Sequence, residues 1–212
     1  MNEPALRQAL VQSAKAMYAA GLNKGTAGNL SCRCGDGFLV TPSAIPVDAM
    51  TPDSMVLMNR TGTPLSPGKP SSEWHFHCDI LAKRPEVNAV VHCHSPFATT
   101  LACQRKTIPA FHYMIALAGG HDIRCAPYRL FGTPELSTVV VEALTDRQAC
   151  LLANHGMVTL GKTLESAVSL AIEVESLCEI YWRTQQAGEP TLLTENEMQS
   201  VFERFADYRK PS

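Results

Sequence analysis

The sequence predicts an α/β domain in which helices flank a central sheet of mixed strand direction. Three observations predict it: the 212-residue length, the alternation of helical and extended patterns, and the two ways in which strands are connected. A chain of this length can form one domain with a sizeable core. Some strands are joined by hairpin turns and others by helices, so antiparallel and parallel neighbours are both expected. Residues 1–212 are therefore predicted to form a single domain.

The first third of the chain is predicted to contain two helices and three short strands. Apolar residues at helical spacing predict an amphipathic helix over residues 4–20. The turn sequence Cys34-Gly35-Asp36-Gly37 predicts a hairpin. A proline-rich loop and a helix capped by Ser71 or Ser72 follow. The predicted strands cover residues 31–33, 37–41 and 55–58, the loop residues 61–72, and the helix residues 73–83.

The rest of the chain is predicted to contain three further strands and three further helices. β-Branched residues predict a strand over residues 87–94. Thr133 and Pro134 provide an N-cap and a first-turn proline, and residues 194–197 form a capping box. The predicted strands cover residues 87–94, 150–153 and 157–160, and the helices cover residues 133–143, 163–187 and 194 onwards.

Composition and charge restrict the classes of partner. With 18 Lys and Arg against 20 Asp and Glu, the net charge of −2 lacks the basic footprint of a nucleic-acid binder. No apolar run reaches the length of a membrane span, and the polar residues of the N-terminal helix argue against a signal peptide. The eight cysteines are predicted to be reduced and mostly buried, as in a cytoplasmic protein. A small-molecule substrate is expected.

The sharpest local signal is His92-Cys93-His94 on a predicted strand. Side chains at i and i+2 of a strand point to the same face, so the two imidazoles project together and Cys93 faces away. Two such nitrogen ligands are half of a zinc site. His155, in Asn154-His155-Gly156 at a strand end, is a candidate third ligand because the glycine leaves room for a metal. The alternative, core histidines with satisfied hydrogen bonds, remains open from these residues alone.

Glu73 follows Ser71 and Ser72 at a predicted helix start. The helix N-terminus favours anions, so the two serines could hold a phosphate. Next to a metal, the carboxylate could be a ligand or a general base. The simpler interpretation is an N-cap followed by a first-turn glutamate.

The segment Thr26-Ala27-Gly28-Asn29 is a second candidate anion site. Glycine lets backbone N–H groups line a concavity, and Thr26 and Asn29 add donors. A helix C-cap followed by a turn would have the same pattern. The four other histidines are predicted to be structural: His75, His77, His112 and His121.

Eight short motifs follow one another along nearly the whole chain. They are Gly25-Thr26-Ala27-Gly28-Asn29-Leu30-Ser31, Thr41-Pro42-Ser43-Ala44-Ile45-Pro46, Pro70-Ser71-Ser72-Glu73, Val91-His92-Cys93-His94-Ser95-Pro96, His112-Tyr113-Met114-Ile115-Ala116, Cys125-Ala126-Pro127-Tyr128, Phe131-Gly132-Thr133 and Asn154-His155-Gly156. Together they resemble the class II aldolase and adducin family, and most of all its sugar-phosphate aldolases. The resemblance implies a class II aldolase-like fold with a mixed or antiparallel sheet between helices.

The resemblance also implies a set of site residues. It implies one divalent ion per subunit, usually zinc, bound by His92, His94 and His155, with Glu73 as a fourth ligand that also acts as acid and base. Tyr113 and Phe131 match positions that act on the substrate of a neighbouring subunit, which implies a homotetramer with active sites between subunits. Tyr208 matches a mobile-tail tyrosine. The implied phosphate ligands are Gly28, Asn29, Ser43, Ala44, Ser71 and Ser72.

The implied reaction is reversible cleavage of a ketose 1-phosphate to dihydroxyacetone phosphate and a short aldehyde such as L-lactaldehyde. L-Fuculose 1-phosphate and the 5-deoxy- and 5-methylthio-pentulose 1-phosphates are the candidate substrates. Where the fuculose-phosphate type commonly has Thr-Gly, this chain has Ser43-Ala44. Two alternatives stay open on the same metal site: a dehydratase of the methylthioribulose-1-phosphate type and a sugar-acid phosphate decarboxylase. A non-catalytic adducin-like module is disfavoured because all four implied metal ligands are present.

Overall fold

A computed structural model describes residues 1–208, and its centre is a seven-stranded sheet. The strands, in chain order, are β1 (Asn29–Cys34), β2 (Gly37–Val40), β3 (Val56–Met58), β4 (Ala89–Cys93), β5 (Arg124–Ala126), β6 (Ala149–Leu152) and β7 (Gly156–Gly161). Their order across the sheet is β3-β2-β1-β4-β7-β6-β5. β5 pairs with β6 in parallel, and all other neighbours are antiparallel. The predicted mixed sheet is confirmed.

Helices cover both faces of this sheet. They are α1 (Glu3–Ala19), α2 (Trp74–Lys83), α3 (Pro96–Ala102), α4 (Pro134–Ala143), α5 (Leu164–Ala187) and α6 (Glu195–Tyr208). Neighbouring strand residues alternate between two apolar cores, as the pleat requires. Val91 packs with α1, α3 and α5, whereas Val90 packs with α2 and α4. Among the described residues, there is no helix that is both long enough and apolar enough to span a membrane.

Most predicted helix starts carry the expected caps. The Thr133 and Thr163 side chains accept hydrogen bonds from backbone N–H groups in the first turns of α4 and α5. Thr194 and Glu197 form the predicted capping box of α6. The prediction that Ser71 or Ser72 caps α2 is wrong: the N-cap is Glu73, and no side chain caps this helix.

Five elements were not predicted: α3, β5 and three 3₁₀ helices over Val47–Ala49, Pro52–Ser54 and Tyr113–Ala118. Each is too short to show a hydrophobic period. α3 also takes its cap from far along the chain. The Glu175 carboxylate on α5 accepts hydrogen bonds from the backbone N–H groups of Phe97 and Ala98. No local pattern could have shown that contact.

Candidate metal centre and active site

The four predicted metal ligands meet at one end of the inner strands β4 and β7. Glu73, His92, His94 and His155 each offer a ligand atom, and these atoms all lie within 4.8 Å of one another. His92 is fully buried and Glu73 is nearly so. The residues come from three separate chain segments, so the fold, rather than local sequence, brings them together.

Strand β4 and the turn before β7 deliver the three imidazoles. His92 and His94 project to one side, as their spacing predicts, and Cys93 packs in the opposite core. His155 lies in the β6–β7 turn, which Asn154 begins with a positive φ of 56°. A Cβ on Gly156 would lie 2.3 Å from the Cys93 carbonyl oxygen and 3.0 Å from His94 Cδ2. The structure therefore gives this glycine a reason that the sequence did not predict: it makes room for β4 and His94.

The three histidine rings are arranged with near threefold regularity. Each pair of ring centroids is 4.8 Å apart, and the ring planes are inclined by 70–73°. The Nε2 atoms of His92 and His94 are 2.9 Å apart. A tetrahedral zinc ion with bonds of 2.0–2.1 Å would hold its ligand atoms about 3.3 Å apart. The spacing of these nitrogens is within a few tenths of an ångström of that value.

The Glu73 carboxylate closes the fourth side of the cluster. Its Oε2 lies 3.1 Å from His92 Nε2, and its Oε1 lies 3.3 Å from His155 Nε2. Oε1 is buried without a hydrogen-bond partner among the described residues. A buried carboxylate oxygen without a partner is costly unless a cation neutralises it. Three imidazoles and one carboxylate are also donors that suit zinc, so these residues fit a bound divalent ion.

Burial and the Glu73 carboxylate determine the protonation states of the metal-free cluster. Burial lowers the pKa of His94 to about 3 and that of His155 to about 4, so both rings are neutral at pH 7. Burial alone would raise the pKa of Glu73, but His92, His155 and Asn29 outweigh it and hold the pKa well below its usual value. Burial alone would lower the pKa of His92, but the Glu73 carboxylate outweighs it and raises the pKa. The cluster therefore attracts positive charge to the point between Glu73 and His92.

Hydrogen bonds from outside the cluster orient its members. His92 Nδ1 donates to the Met157 carbonyl oxygen at 2.9 Å, which leaves Nε2 as a free ligand atom. The Asn29 side-chain amide donates to Glu73 Oε2 at 2.9 Å. The Asn23 side chain accepts from the His94 backbone N–H at 3.1 Å. A Cβ on Gly28 would overlap Asn23, so this glycine also serves the histidine strand.

A cavity of about 390 Å³ opens next to the cluster. Glu73, His94 and His155 line one part of it. Every predicted substrate-binding residue lines it as well: Thr26, Gly28, Asn29, Ser43, Ala44, Ser71, Ser72 and Phe131. Arg129, which the sequence analysis missed, is the one Lys or Arg side chain among the described lining residues. No local pattern distinguished it from a surface arginine.

Backbone hydrogen bonds connect two of the loops that line this cavity, the loop of Ser43 and the loop of Ser71. The Ser43 backbone N–H donates to the Lys69 carbonyl at 2.9 Å, and the Ser71 N–H donates to the Thr41 carbonyl at 3.0 Å. Between them, Ala44 has a positive φ of 60°, a conformation that normally favours glycine. The substitution of alanine for the family's usual glycine therefore keeps the glycine-like backbone.

Of the two aromatic residues predicted to act on a neighbouring subunit's substrate, one lines this cavity and one does not. Tyr113 is 50% exposed on the 3₁₀ helix and does not line the cavity, whereas Phe131 lines the cavity of its own chain. Their action on a neighbouring subunit's substrate stays a prediction. The side chain of Tyr208 lies outside the described residues.

Of the four histidines predicted to be structural, His77 alone connects to the site. His75 stacks on Trp74, His112 caps the 3₁₀ helix and His121 contacts Phe202. His77 is fully buried and is hydrogen-bonded to Asn29. Its position four residues after Glu73, on the same helix face, is the signal that could have found it.

Comparisons with known proteins agree with this geometry. The family described as Class II Aldolase and Adducin N-terminal domain matches residues 8–182. A 5-methylthioribulose-1-phosphate/5-deoxyribulose-1-phosphate aldolase of Rhodospirillum rubrum is 53% identical over 96% of this chain and 92% of its own length. An L-fuculose phosphate aldolase of Escherichia coli is 42% identical over 98% of this chain and 97% of its own.

A solved structure shows the same fold. An L-fuculose 1-phosphate aldolase superposes with a TM-score of 0.92 at 36% identity, over 95% of this chain and 96% of that one. The chain therefore belongs to the class II aldolase and adducin family, and within it to the aldolases.

Proposed function

We propose that this class II aldolase uses zinc to cleave a ketose 1-phosphate reversibly to dihydroxyacetone phosphate and a short aldehyde. The observation that carries the proposal is the convergence of Glu73 and three histidines beside a cavity that the predicted phosphate loops line. Three histidines, with a fourth position beside a cavity where the Glu73 carboxylate could give way to substrate, are typical of catalytic zinc sites, whereas structural sites are closed and rich in cysteine. A cytoplasmic location, with reduced and mostly buried cysteines, is part of the proposal.

The ion and Glu73 would have separate roles. When bound by His92, His94 and His155, a divalent ion supplies Lewis-acid stabilisation of the negative charge that develops on the ketose oxygens. In the direction of aldol addition, ionised Glu73 takes a proton from the carbon that forms the new bond. In cleavage, Glu73 returns that proton to the same carbon. The low pKa of Glu73 keeps the carboxylate of the metal-free site ionised, which is the form that accepts a proton.

The phosphate would lie in the part of the cavity that the loops of Ser43 and Ser71 line. The loops that contain Ser43 and Ser71 offer hydroxyl groups there, and the N-terminus of α2 adds a favourable dipole. The Arg129 side chain adds a positive charge at the cavity. A dianionic sugar phosphate therefore matches the lining better than a neutral sugar does.

The remaining proton transfer requires a second subunit. Cleavage needs a group that takes the proton of the hydroxyl that becomes the aldehyde oxygen, and we assign this role to Tyr113. Its ring is half-exposed and lies outside the cavity of its own chain, so it would act in a neighbouring active site. Active sites between subunits follow from this assignment, and the family resemblance extends the proposal to a homotetramer.

For the substrate we favour 5-methylthioribulose 1-phosphate or 5-deoxyribulose 1-phosphate over L-fuculose 1-phosphate. The relative from Rhodospirillum rubrum named for the first two is 53% identical, against 42% for the L-fuculose phosphate aldolase of Escherichia coli. Cleavage of the three substrates would release methylthioacetaldehyde, acetaldehyde and L-lactaldehyde respectively, each with dihydroxyacetone phosphate.

The test follows dihydroxyacetone phosphate release from all three substrates with a coupled reductase. The zinc-loaded protein, a Glu73→Gln variant and an exposed-surface control, Glu165→Gln, run side by side. We expect release by the protein and the control, and a 10²–10⁴-fold lower rate in Glu73→Gln because the acid/base group is lost. Substrate consumption without dihydroxyacetone phosphate would contradict the proposal and indicate a dehydratase. Full activity of Glu73→Gln would overturn the role of this residue.

A further inference from the structure

A chain of buried hydrogen bonds leads from Glu73 away from the cavity. Asn29 Nδ2 donates to Glu73 Oε2 at 2.9 Å, and Asn29 Oδ1 lies 2.6 Å from His77 Nε2. His77 Nδ1 lies 2.7 Å from Ser31 Oγ. His77 and Ser31 are fully buried, and Asn29 and Glu73 are only 5–6% exposed. The series of hydrogen bonds ends at the uncharged hydroxyl group of Ser31.

Regular secondary structure determines this alignment. Asn29 and Ser31 are two residues apart on strand β1, so both side chains point to one face. Glu73 and His77 are four residues apart along helix α2, from its N-cap to its first turn, so both lie on one side. Three hydrogen bonds therefore join this face of the strand to this side of the helix.

Chemistry allows one arrangement of protons along the chain. An ionised carboxylate only accepts, so the Asn29 amide must present its NH₂ group to Glu73 and its oxygen to His77. His77 Nε2 must then carry a hydrogen and donate it to that oxygen. Because burial lowers the pKa of His77 to about 3, the ring is neutral, and Nδ1 accepts from the Ser31 hydroxyl.

We propose that His77 is a positioning residue that, held by Ser31, fixes the rotamer of Asn29 so that its amide orients Glu73 toward the three histidines. The proposal rests on the proposed role of Glu73 as metal ligand and acid/base group. It also revises the role of Asn29, whose side chain is engaged by Glu73 and His77 and is not free to turn toward a phosphate.

Without His77, the Asn29 side-chain oxygen would lose the N–H donor that holds it away from Glu73. It could then rotate and present its oxygen to the Glu73 carboxylate, which is repulsive. Losing outer partners of metal ligands typically lowers metal affinity or activity by 10–100-fold. A positioning role lowers kcat and zinc affinity, whereas loss of a phosphate ligand would raise KM.

The test compares His77→Leu, which removes both hydrogen bonds, with His77→Gln, which keeps an N–H donor near the position of Nε2. The control is His75→Leu, two residues away on the same helix and without contact to the chain of bonds. Zinc affinity is measured by competition with a chromophoric chelator. The values of kcat and KM are measured by following cleavage of the ketose 1-phosphate substrates. Unfolding is monitored for each variant.

We expect His77→Leu to lose 10–100-fold in both kcat and zinc affinity, with KM changed less than about threefold. His77→Gln should recover most of both losses, and His75→Leu should match the unmodified protein. Equal losses in His77→Leu and His77→Gln, or a change confined to KM, would overturn the proposal. If His77→Leu does not fold, Ser31→Ala provides the test, with smaller losses of the same two quantities expected and unchanged values contradicting it. If no substrate is cleaved, the proposed function fails, but the zinc-affinity comparison still decides whether His77 orients the site.

Discussion

Replacing Gly156 with alanine should damage the metal centre without touching a ligand. The added Cβ would lie 2.3 Å from the Cys93 carbonyl oxygen and 3.0 Å from the His94 ring. Contacts below about 3.0 Å are not tolerated by well-packed atoms, so β4 and β7 must separate by about 0.7 Å at this point. This displacement falls between His155, which precedes the glycine, and His94, which follows Cys93.

The size of the effect follows from the tolerance of a metal site. Ligand distances in a working site agree with ideal values to about 0.2 Å, so a 0.7 Å separation exceeds the tolerance severalfold. The overlap itself should cost about 1–3 kcal/mol of unfolding free energy, as overpacked sites do. Zinc affinity should fall by at least the 10–100-fold that results from disturbing outer partners of a metal.

A matched control lies at the other end of the same strand. A Cβ on Gly161 would lie 2.5 Å from the Ala167 backbone nitrogen, far along β7 from the histidines. Both variants should lose similar stability in urea unfolding of the metal-free protein, but only Gly156→Ala should lose zinc in chelator competition. Normal zinc affinity in a folded Gly156→Ala protein, or equal zinc loss in both variants, would refute the reasoning.

Three further predictions concern the loop, the buried histidine and the cavity charge. Ala44→Gly should stabilise the protein by up to about 1 kcal/mol in urea unfolding, because relief of the positive φ outweighs the added freedom of the unfolded chain; a loss of 1 kcal/mol would contradict it. For the metal-free protein, the His77 pKa of about 3 lies below its unfolded value of 6.5, so the folded state binds fewer protons in this window and unfolding free energy falls as pH drops below 6.5. The unfolding free energy should fall by about 1.4 kcal/mol per pH unit more in the unmodified protein than in His77→Gln. Equal slopes in the two proteins would count against a buried, neutral His77 ring. Arg129→Gln should raise KM for a sugar phosphate several-fold and leave zinc affinity unchanged, because it removes a cavity charge that is not a metal ligand; an unchanged KM at low ionic strength would contradict this.

The metal ligands were predictable because strand and helix periodicity is strict. The i and i+2 spacing of His92 and His94 sends both rings to one face of β4, and the structure confirms it. The long helices and the mixed sheet were predictable for the same reason. That His155 and Glu73 join these two rings required the family resemblance, since contacts between distant segments leave no local pattern.

What could not be predicted depended on long-range contacts. The sequence alone could not show that Gly156 makes room for β4 and His94, or that Gly28 makes room for Asn23, which holds the His94 backbone. His77 was interpreted as structural because it lies two residues from His75 on one helix, which puts the two rings on different faces. Its contacts with β1 are far away in sequence and leave no local pattern. α3 escaped prediction because Glu175 caps it from another helix. The single-domain organisation and the roles of the site residues remain predictions.

Removing and restoring the metal tests the central claim most directly. The purified protein would be stripped with a chelator, its zinc content measured, and dihydroxyacetone phosphate release from 5-methylthioribulose 1-phosphate followed as zinc is added back. We predict negligible release from the stripped protein and a linear recovery that saturates at one zinc per chain, absent in a His155→Ala variant. Full activity in the stripped protein, or recovery that does not depend on His155, would contradict the assignment of this cluster as a catalytic metal centre.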